Sequence, residues 1–458
     1  MKTFEHINNI FFIGIGGIGM SALAKHFKKL GKVVMGYDRS PSIITEQLKD
    51  LDIPVIFEDA INLLPQNIDL VIYTPAIPND HKQLTYLREK HFPIKKRAEI
   101  LGMISQDKYC IAVAGTHGKT TTSALISHIL HIAKFDFMSF MGGISKNINS
   151  NFISSSKNDF IVVEADEYDK SFLQLYPDIA VVTAMDADHL DIYGTHKKMI
   201  ESYNEFVSHI KNDGKLILKH NLLNKIRTNK TDIISYSLVD NSSFKSENIR
   251  ISNGSYIFDV VCPDNKNIPD LKLNIGGRHN IENAVAAIAV SIQLGITHDI
   301  IKKSLESFKG VLRRFDIRIN HEKLIYIDDY AHHPEELKML IHSVREFFKG
   351  KTITGVFQPH LFTRTRDFAD DFAQGLDLLD EVILLEIYPA REKPIEGITS
   401  SYLLNKIKNN KKMICSKNNV IEELLKKKTD IILTIGAGDI DALVAPITKT
   451  FNNILKFI

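Results

Sequence analysis

Along the first hundred residues, short apolar β-branched runs alternate with longer stretches whose apolar positions recur at helical spacing. Ile10–Ile13 reads as a strand, Ser21–Leu30 as a helix, and Val33–Met35 and Asp69–Tyr73 as further strands. Such alternation marks βαβ units, whose strands line up in a parallel sheet. Pro65, Pro75, Pro78 and Pro93 punctuate this region, and the polar stretch Gln106–Lys108 closes it. A second series opens with the strand Tyr109–Ala114, which runs straight into an apolar helix. It continues with Phe160–Val163 and Ile179–Thr183, each ending in an acid-rich loop. Residues 237–269 are polar and weakly alternating, which predicts an antiparallel edge or excursion, and a helix over Asn280–Leu294 returns the chain to the core. A third series has strands Leu324–Ile327, Thr352–Phe357, Val382–Leu385 and Ile431–Ile435, with a helix over Phe368–Leu379. Lys426–Lys428 reads as a solvated helix end, where cations suit the helix dipole.

The length of 458 residues favours about three domains. A net charge of +2 leaves no broad basic footprint, so a nucleic-acid partner is not expected. The three cysteines, Cys110, Cys262 and Cys415, are odd in number and far apart; no disulfide framework emerges from them, and a reducing compartment fits. The apolar run Ile10–Met20 is interrupted by four glycines, too short and broken for a signal sequence or a membrane span. No other run is long enough to cross a bilayer. A cytoplasmic protein with no membrane partner is expected.

Two glycine turns carry the candidate chemistry. Gly115-Thr-His-Gly-Lys-Thr-Thr121 sits between a strand and a helix, where backbone N–H groups point at an anion. There Lys119 adds a point charge and Thr120 offers a hydroxyl to Mg²⁺. The position five before Gly118 is Val113, a departure from the usual phosphate-loop pattern. Upstream, Gly14-x-Gly16-Gly17-x-Gly19 follows a strand, with Asp38 nineteen residues after Gly19, and formally fits a dinucleotide fingerprint. Nucleotide or pyrophosphate binding is the reading taken here, with a mere tight strand–helix turn as the alternative.

Glu164, Asp166 and Glu167 follow one strand of the second series; Asp186, Asp188, His189 and Asp191 follow the next. Carboxylates gathered beside a phosphate loop suit Mg²⁺, which prefers oxygen ligands. A solvated acidic loop is the alternative, and His189 is an unusual Mg²⁺ ligand. Zinc fits less well, because no Cys or second His stands at metal spacing. Arg313-Arg314 and Asp328-Asp329 read as surface charge, and Pro334 with Glu335 and Glu336 reads as a helix start. His360, Arg364 and Arg366 follow Thr352–Phe357, where a ligand-facing loop is expected; two arginines there could clamp a carboxylate, although scattered surface arginine is the commoner case.

Together these motifs resemble the Mur ligases. The resemblance rests on Phe12–Ser21, Ala114–Thr121, Glu164-Ala-Asp-Glu-Tyr-Asp169, Asp188-His-Leu-Asp191, Gly277-Arg-His-Asn-Ile-Glu-Asn283, Arg313-Arg-Phe315 and Asp328-Asp-Tyr-Ala-His-His-Pro334, in order along nearly the whole chain. It implies an α/β protein of three domains. Residues 1–106 would form a Rossmann-like UDP-binding domain, 107–312 a central P-loop ATPase-type parallel-sheet domain, and 313–458 a Rossmann-like domain for the amino acid. It also implies a reaction in which ATP phosphorylates the lactyl carboxylate of UDP-N-acetylmuramate and L-alanine attacks the acyl phosphate. The protein would then be a monomer or homodimer with small-molecule substrates.

By the resemblance, Gly115, Thr116, His117, Gly118, Lys119, Thr120 and Thr121 cradle ATP, with Asn280 and Asn283 at its adenine side. Arg314 and Asp329 reach ATP from the third domain. Thr120, Glu164 and His189 hold Mg²⁺, and Lys119, Glu164, His189 and Arg314 are catalytic. Gly14, Gly16, Gly17, Gly19 and Asp38 take the UDP-sugar, and His360 and Arg364 the amino acid. The chain departs from the family at Leu361-Phe362, where relatives carry Arg-Tyr. It departs again at Phe57-Glu-Asp59, where many carry Gly-His, and at Ala331, which replaces a common glycine. A recycling ligase that joins a tripeptide to the same UDP-sugar shares these loops; the Tyr388–Ile395 stretch and Arg364 favour the alanine acceptor. An NAD-dependent oxidoreductase built on the Gly14 loop leaves the Lys119 loop unexplained. A non-catalytic nucleotide-gated module would use the ATP loop without turnover.

Overall fold

The computed structural model describes residues 4–228, 232–239, 241–252, 254–263, 266–390 and 392–456. They fall into two compact units. One comprises Met1–Arg250, Ile257–Leu273 and Ile281–Lys309; the other comprises Ile251–Tyr256, Asn274–Asn280 and Gly310–Ile458. Three sheets carry the α/β fold. Among the described residues no helix is long and apolar enough to cross a membrane, and the three cysteines are free and buried.

The first unit holds two of the sheets. β1 (Asn9–Ile13), β2 (Val33–Tyr37), β3 (Val55–Ile56), β4 (Leu70–Tyr73) and β5 (Ile94–Lys96) are ordered β3-β2-β1-β4-β5. Every pairing is parallel. Because β2 lies to one side of β1 and β4 to the other, the strand order reverses there. Ligands of open α/β sheets bind at the carboxyl ends of strands flanking such a reversal. The Gly14 loop leaves β1 at that point.

The second sheet contains β6 (Tyr109–Ala114), β7 (Phe137–Ser145), β8 (Ser150–Ser154), β9 (Phe160–Ala165), β10 (Ile179–Val182), β11 (Lys215–Lys219) and β12 (Asp232–Ser237). It ends with β13 (Phe244–Ser252), β14 (Ser255–Val261) and β15 (Ile268–Leu273). β6 lies between β9 and β10, parallel to both. Its Cys110–Ala114 run is fully buried, as expected of a strand covered on both faces. The polar alternating stretch predicted as an edge excursion supplies β13–β15, at one edge of this sheet. The helix Lys119–Ile132 is buried along all of Thr120–Leu130, so the loop at its N-terminus stands on a fixed support.

At the opposite edge the antiparallel hairpin β7–β8 packs against the helix Ile18–Lys29 of the first sheet. Asn151 ties the two together, its amide donating to Ile18 O at 2.6 Å and Ser21 Oγ at 2.8 Å. Lys25, only 8% exposed, donates to Asn151 Oδ1 at 2.8 Å and Gln47 Oε1 at 3.2 Å. These partners are neutral, so burial lowers its pKa from 10.5 to about 8. Between those two values the unfolded chain holds the proton that the folded chain has released. Stability therefore rises with pH across that window, relative to a variant lacking the amine. Thermal melts at pH 7.5 and 10 should show wild type gaining on Lys25→Met; parallel changes in the two proteins would refute this.

In the second unit, β16 (Asp316–His321) pairs antiparallel with β17 (Leu324–Asp329). β18 (Ile353–Phe357), β19 (Glu381–Leu384), β20 (Lys412–Ile414) and β21 (Ile431–Ile435) complete the order β16-β17-β21-β18-β19-β20. From β17 to β20 the pairing is parallel. The helix Pro334–Phe347 starts as predicted, with Pro334 in its first turn. His333 accepts from Glu335 N, and Glu336 bonds back to His333 N at 3.2 Å.

Candidate functional site

The Lys119 loop is built by backbone geometry. Gly115 has φ +139°, and a Cβ there would fall 2.1 Å from Thr183 Oγ1. Only glycine lets the turn lie this close to the end of β10. Thr183 fixes the loop by donating to Ala114 O at 3.1 Å and to His117 O. Thr116 N donates to Ala184 O at 3.1 Å, and Asp186 N to Thr116 Oγ1 at 3.1 Å. His117 lies 3.6 Å from Asp186. Asn283 Oδ1 lies 2.6 Å from where a Gly118 side chain would begin, which places Asn283 at this loop. Asn280 belongs to the short stretch that clusters with the second unit, where its amide donates to Gly276 O at 2.6 Å.

Lys119 Nζ donates to Gly115 O at 2.6 Å and to both carboxylate oxygens of Glu167, at 2.7 and 2.9 Å. Burial works against the ammonium, but the charges of Glu167 and Asp166 outweigh it and hold its pKa above the ordinary value. Burial pushes Glu167 up, with Lys119 pulling it back. Glu164 instead faces the first turn of the helix. It accepts from Gly142 N at 2.5 Å, Ser123 Oγ at 3.0 Å and Thr120 Oγ1 at 3.1 Å. His189 has φ +50°, with Nε2 3.8 Å from Asp188 and 4.0 Å from Glu167. Among the described residues no group of three or more His, Cys, Asp or Glu gathers at metal-binding distance. The contact between the Thr120 hydroxyl and the Glu164 carboxylate is nevertheless a pair of hard oxygen donors beside the Lys119 loop, of the kind that fits Mg²⁺. The Asp191 side chain lies outside the described residues.

In the first sheet, Gly14 and Ile15 donate their N–H groups to Tyr37 O, at 2.8 and 2.9 Å, which binds the glycine turn to β2. Asp38 accepts from Gly16 N at 2.7 Å and Arg39 N at 2.8 Å, so its carboxylate shapes the loop; burial raises its pKa. Gly17 caps the helix Ile18–Lys29. Asp59, from the stretch departing from the family pattern, accepts from Lys82 N and Gln83 N at 2.8 and 2.9 Å.

The second unit corrects two expectations. Asp328 and Asp329 are not surface charge but buried ends of β17. Arg313 Nε bonds Asp328 at 3.2 Å and Thr434 Oγ1 donates to it at 2.7 Å. Asp329 accepts from Phe315 N at 2.6 Å and Ala331 N at 2.8 Å; burial raises its pKa to about 6, against the pull of Arg314. Each aspartate is tolerated inside because it gains at least one partner from another segment. Arg314 lies over the Tyr330 ring at 5.0 Å. The expected loop after β18 is partly a helix, Phe362–Asp367, reached through Leu361 at φ +69°. The following helix is correspondingly shorter, Ala369–Leu376. Arg364 is buried, whereas Arg366 is exposed and pairs with Asp367. His360 stacks on Tyr388 at 5.7 Å, which brings the 388–395 stretch to it; Arg391 lies outside the described residues.

Three family models match in succession: the Mur ligase family catalytic domain over residues 9–109, the Mur ligase middle domain over 113–291, and the Mur ligase glutamate ligase domain over 313–438. A UDP-N-acetylmuramate–L-alanine ligase of Flavobacterium psychrophilum is 50% identical over 98% of this chain and 99% of its own. The chain belongs to the Mur ligase family. A second relative of the same description, from Christiangramia forsetii, is 47% identical over 98% of this chain and 99% of its own. The crystal structure of a UDP-N-acetylmuramate–alanine ligase from Thermotoga maritima superposes with a TM-score of 0.84 at 28% identity, covering 98% of this chain and 100% of that one. A murein peptide ligase from Psychrobacter arcticus shares the fold, with a TM-score of 0.75 at 22% identity over 96% of this chain and 98% of that one.

Sequence reasoning left several residues of this Mur ligase without a role. Glu167 is the partner of Lys119, and Thr183, Ser123 and Gly142 complete the support of the loop and its acid. A hydroxyl at the end of a strand beside a phosphate loop was the available signal for Thr183.

Proposed function

We propose that this Mur ligase joins L-alanine to the lactyl carboxylate of UDP-N-acetylmuramate at the expense of ATP. The observation that carries the reading is the pair of phosphate-type turns in one compact unit, bridged by ion pairs. Lys96 reaches Asp169 at 2.8 Å and Arg97 reaches Asp166 at 3.2 Å, both from the first sheet to the acid loop beside Lys119. The names of the full-length relatives support the alanine acceptor over a tripeptide. We place the domain boundaries at 106/107 and 312/313, and the cytoplasm as the compartment.

In this reaction a lactyl carboxylate oxygen attacks the γ-phosphorus of ATP, the bond to the β–γ bridging oxygen breaks, and ADP leaves. The alanine amine then attacks the acyl carbon and sheds a proton as inorganic phosphate departs. Two anions must approach each other, so preorganised cations and N–H donors supply most of the assistance. Lys119 and the N–H groups of residues 117–121 face the phosphates, and Glu167 keeps the ammonium charged and positioned. Thr120 and Glu164, with His189 as a further candidate, would hold Mg²⁺, which screens phosphate charge when bound. The Gly14–Gly19 turn and Asp38 receive the UDP-sugar. Arg314, Asp329, Asn280 and Asn283 toward ATP, and His360 and Arg364 toward alanine, are assigned by family resemblance.

The test is ADP release from purified protein with ATP, Mg²⁺ and UDP-N-acetylmuramate, with and without L-alanine, and with the tripeptide as competitor. Release that requires all three substrates and is not exceeded with the tripeptide is expected. Release indifferent to L-alanine would refute the reading.

A further inference from the structure

We propose that Tyr203 positions Glu167 during turnover: its buried hydroxyl takes the carboxylate oxygen that Lys119 gives up when the ammonium turns to the phosphates of ATP. The inference rests on the ATP-dependent ligase reading and adds to it a positioning residue outside the loops.

Lys119 has no donor to spare. An ammonium offers three N–H groups, and its contacts already call on all of them: Gly115 O at 2.6 Å and the two oxygens of Glu167 at 2.7 and 2.9 Å. Contact with a phosphate therefore releases one of these bonds. Releasing one carboxylate oxygen keeps the ion pair, because the other oxygen still holds the ammonium. The released oxygen belongs to a side chain only 1% exposed, and a charged group left without its donor there is costly. The backbone cannot follow it, since Glu167 O accepts from the Tyr193 hydroxyl at 2.6 Å and from Lys170 N at 3.0 Å. Only the carboxylate can turn.

Tyr203 is the group suited to receive it. It lies on the helix His196–Ser208, fully buried, with its ring edge-on to Phe172 at 5.2 Å. Phe172 stands in the short helical segment Tyr168–Gln174 that follows the acids, and its N–H donates to Asp166 O at 2.9 Å. Tyr203 thus packs against the backbone that carries Glu167. Its hydroxyl is shielded from solvent, and among the described residues it meets no hydrogen-bond partner. A phenol buried in this way is unfavourable unless another state of the protein uses it. Burial raises its pKa well above the ordinary value, and of the ionisable groups around it Glu167 acts most strongly, ahead of Tyr193, Asp166 and Asp188. It therefore stays a donor at any working pH. The rival donors are less suited. The Tyr193 hydroxyl is committed to the Glu167 carbonyl, and His189 Nε2 stands 4.0 Å from Glu167 and 3.8 Å from Asp188.

Calorimetric titration of a non-hydrolysable ATP analogue with Mg²⁺, and of UDP-N-acetylmuramate, into wild type, Tyr203→Phe, Glu167→Gln and the double variant tests this, beside thermal melts without ligand. Tyr203→Phe should melt no lower than wild type, because it deletes an unsatisfied hydroxyl. It should weaken the ATP analogue by about 10- to 100-fold, the scale of a hydrogen bond to a charged group. UDP-N-acetylmuramate should bind within about twofold of wild type. In the Glu167→Gln background the freed oxygen carries no charge, so the same substitution should weaken the analogue by less than about threefold. A lower melting temperature or failure to fold in Tyr203→Phe would show that the hydroxyl is already bonded in the free protein, and overturns the proposal. So does wild-type affinity for the analogue, which would give the oxygen to His189. Equal losses for the two ligands, or a loss undiminished by Glu167→Gln, overturn it as well. If wild type itself binds no ATP analogue, the ligase reading falls and this inference with it.

Discussion

Lys119→Ala should lower the turnover of ADP release by about 10²–10³, the scale for removing one preorganised electrostatic stabiliser from a charge-transferring site. The same substitution strips Glu167, 1% exposed, of its cation. Breaking a buried pair from one side destabilises by about 3–5 kcal/mol, because the remaining charge is left in a poor medium. Loss of activity in the single variant could therefore come from unfolding as well as from chemistry. The double variant Lys119→Ala with Glu167→Gln separates the two, since a neutral amide needs no cation. Its melting temperature should recover while turnover stays low. Recovery of both, or wild-type turnover in a folded Lys119→Ala protein, would remove Lys119 from the chemistry.

What could be read from the sequence is what short-range pattern controls. The apolar run Cys110–Ala114 followed by a glycine turn and an apolar helix leaves few alternatives to a buried parallel strand feeding a tight turn and a buried helix, and that is its arrangement. The role of each acid in the 164–167 cluster was not legible. Glu164 points to the helix Lys119–Ile132, Asp166 to Arg97 and Glu167 to Lys119, three directions within four residues that depend on where β9 ends. Asp328 and Asp329 misled because the groups that make their burial tolerable come from afar: Arg313, Thr434 and the N–H of Phe315. The helix Phe362–Asp367 was hidden for a different reason. Its sequence, FTRTRD, has no apolar periodicity, and its start depends on a left-handed leucine.

Glu164→Gln should lower turnover to a similar extent, about 10²–10³, but with a different signature. The glutamine keeps the shape of the side chain and removes its charge. Gly142 N, Ser123 Oγ and Thr120 Oγ1 each donate to the carboxylate. An amide can satisfy only some of them, because its NH₂ must face at least one donor or turn away. Hydroxyls can rotate to accept, so the stability loss should be small, of order 1–2 kcal/mol. On the proposed metal site the catalytic loss should be large, because the charge proposed to hold Mg²⁺ together with the Thr120 hydroxyl is gone. The half-saturating Mg²⁺ concentration should therefore rise at least about tenfold. An Mg²⁺ titration of turnover, run beside thermal melts, tells these apart. A purely structural role for Glu164 would lower the melting temperature and leave the Mg²⁺ midpoint where it was. An unshifted midpoint with turnover near that of wild type would take the metal site away from Glu164 altogether.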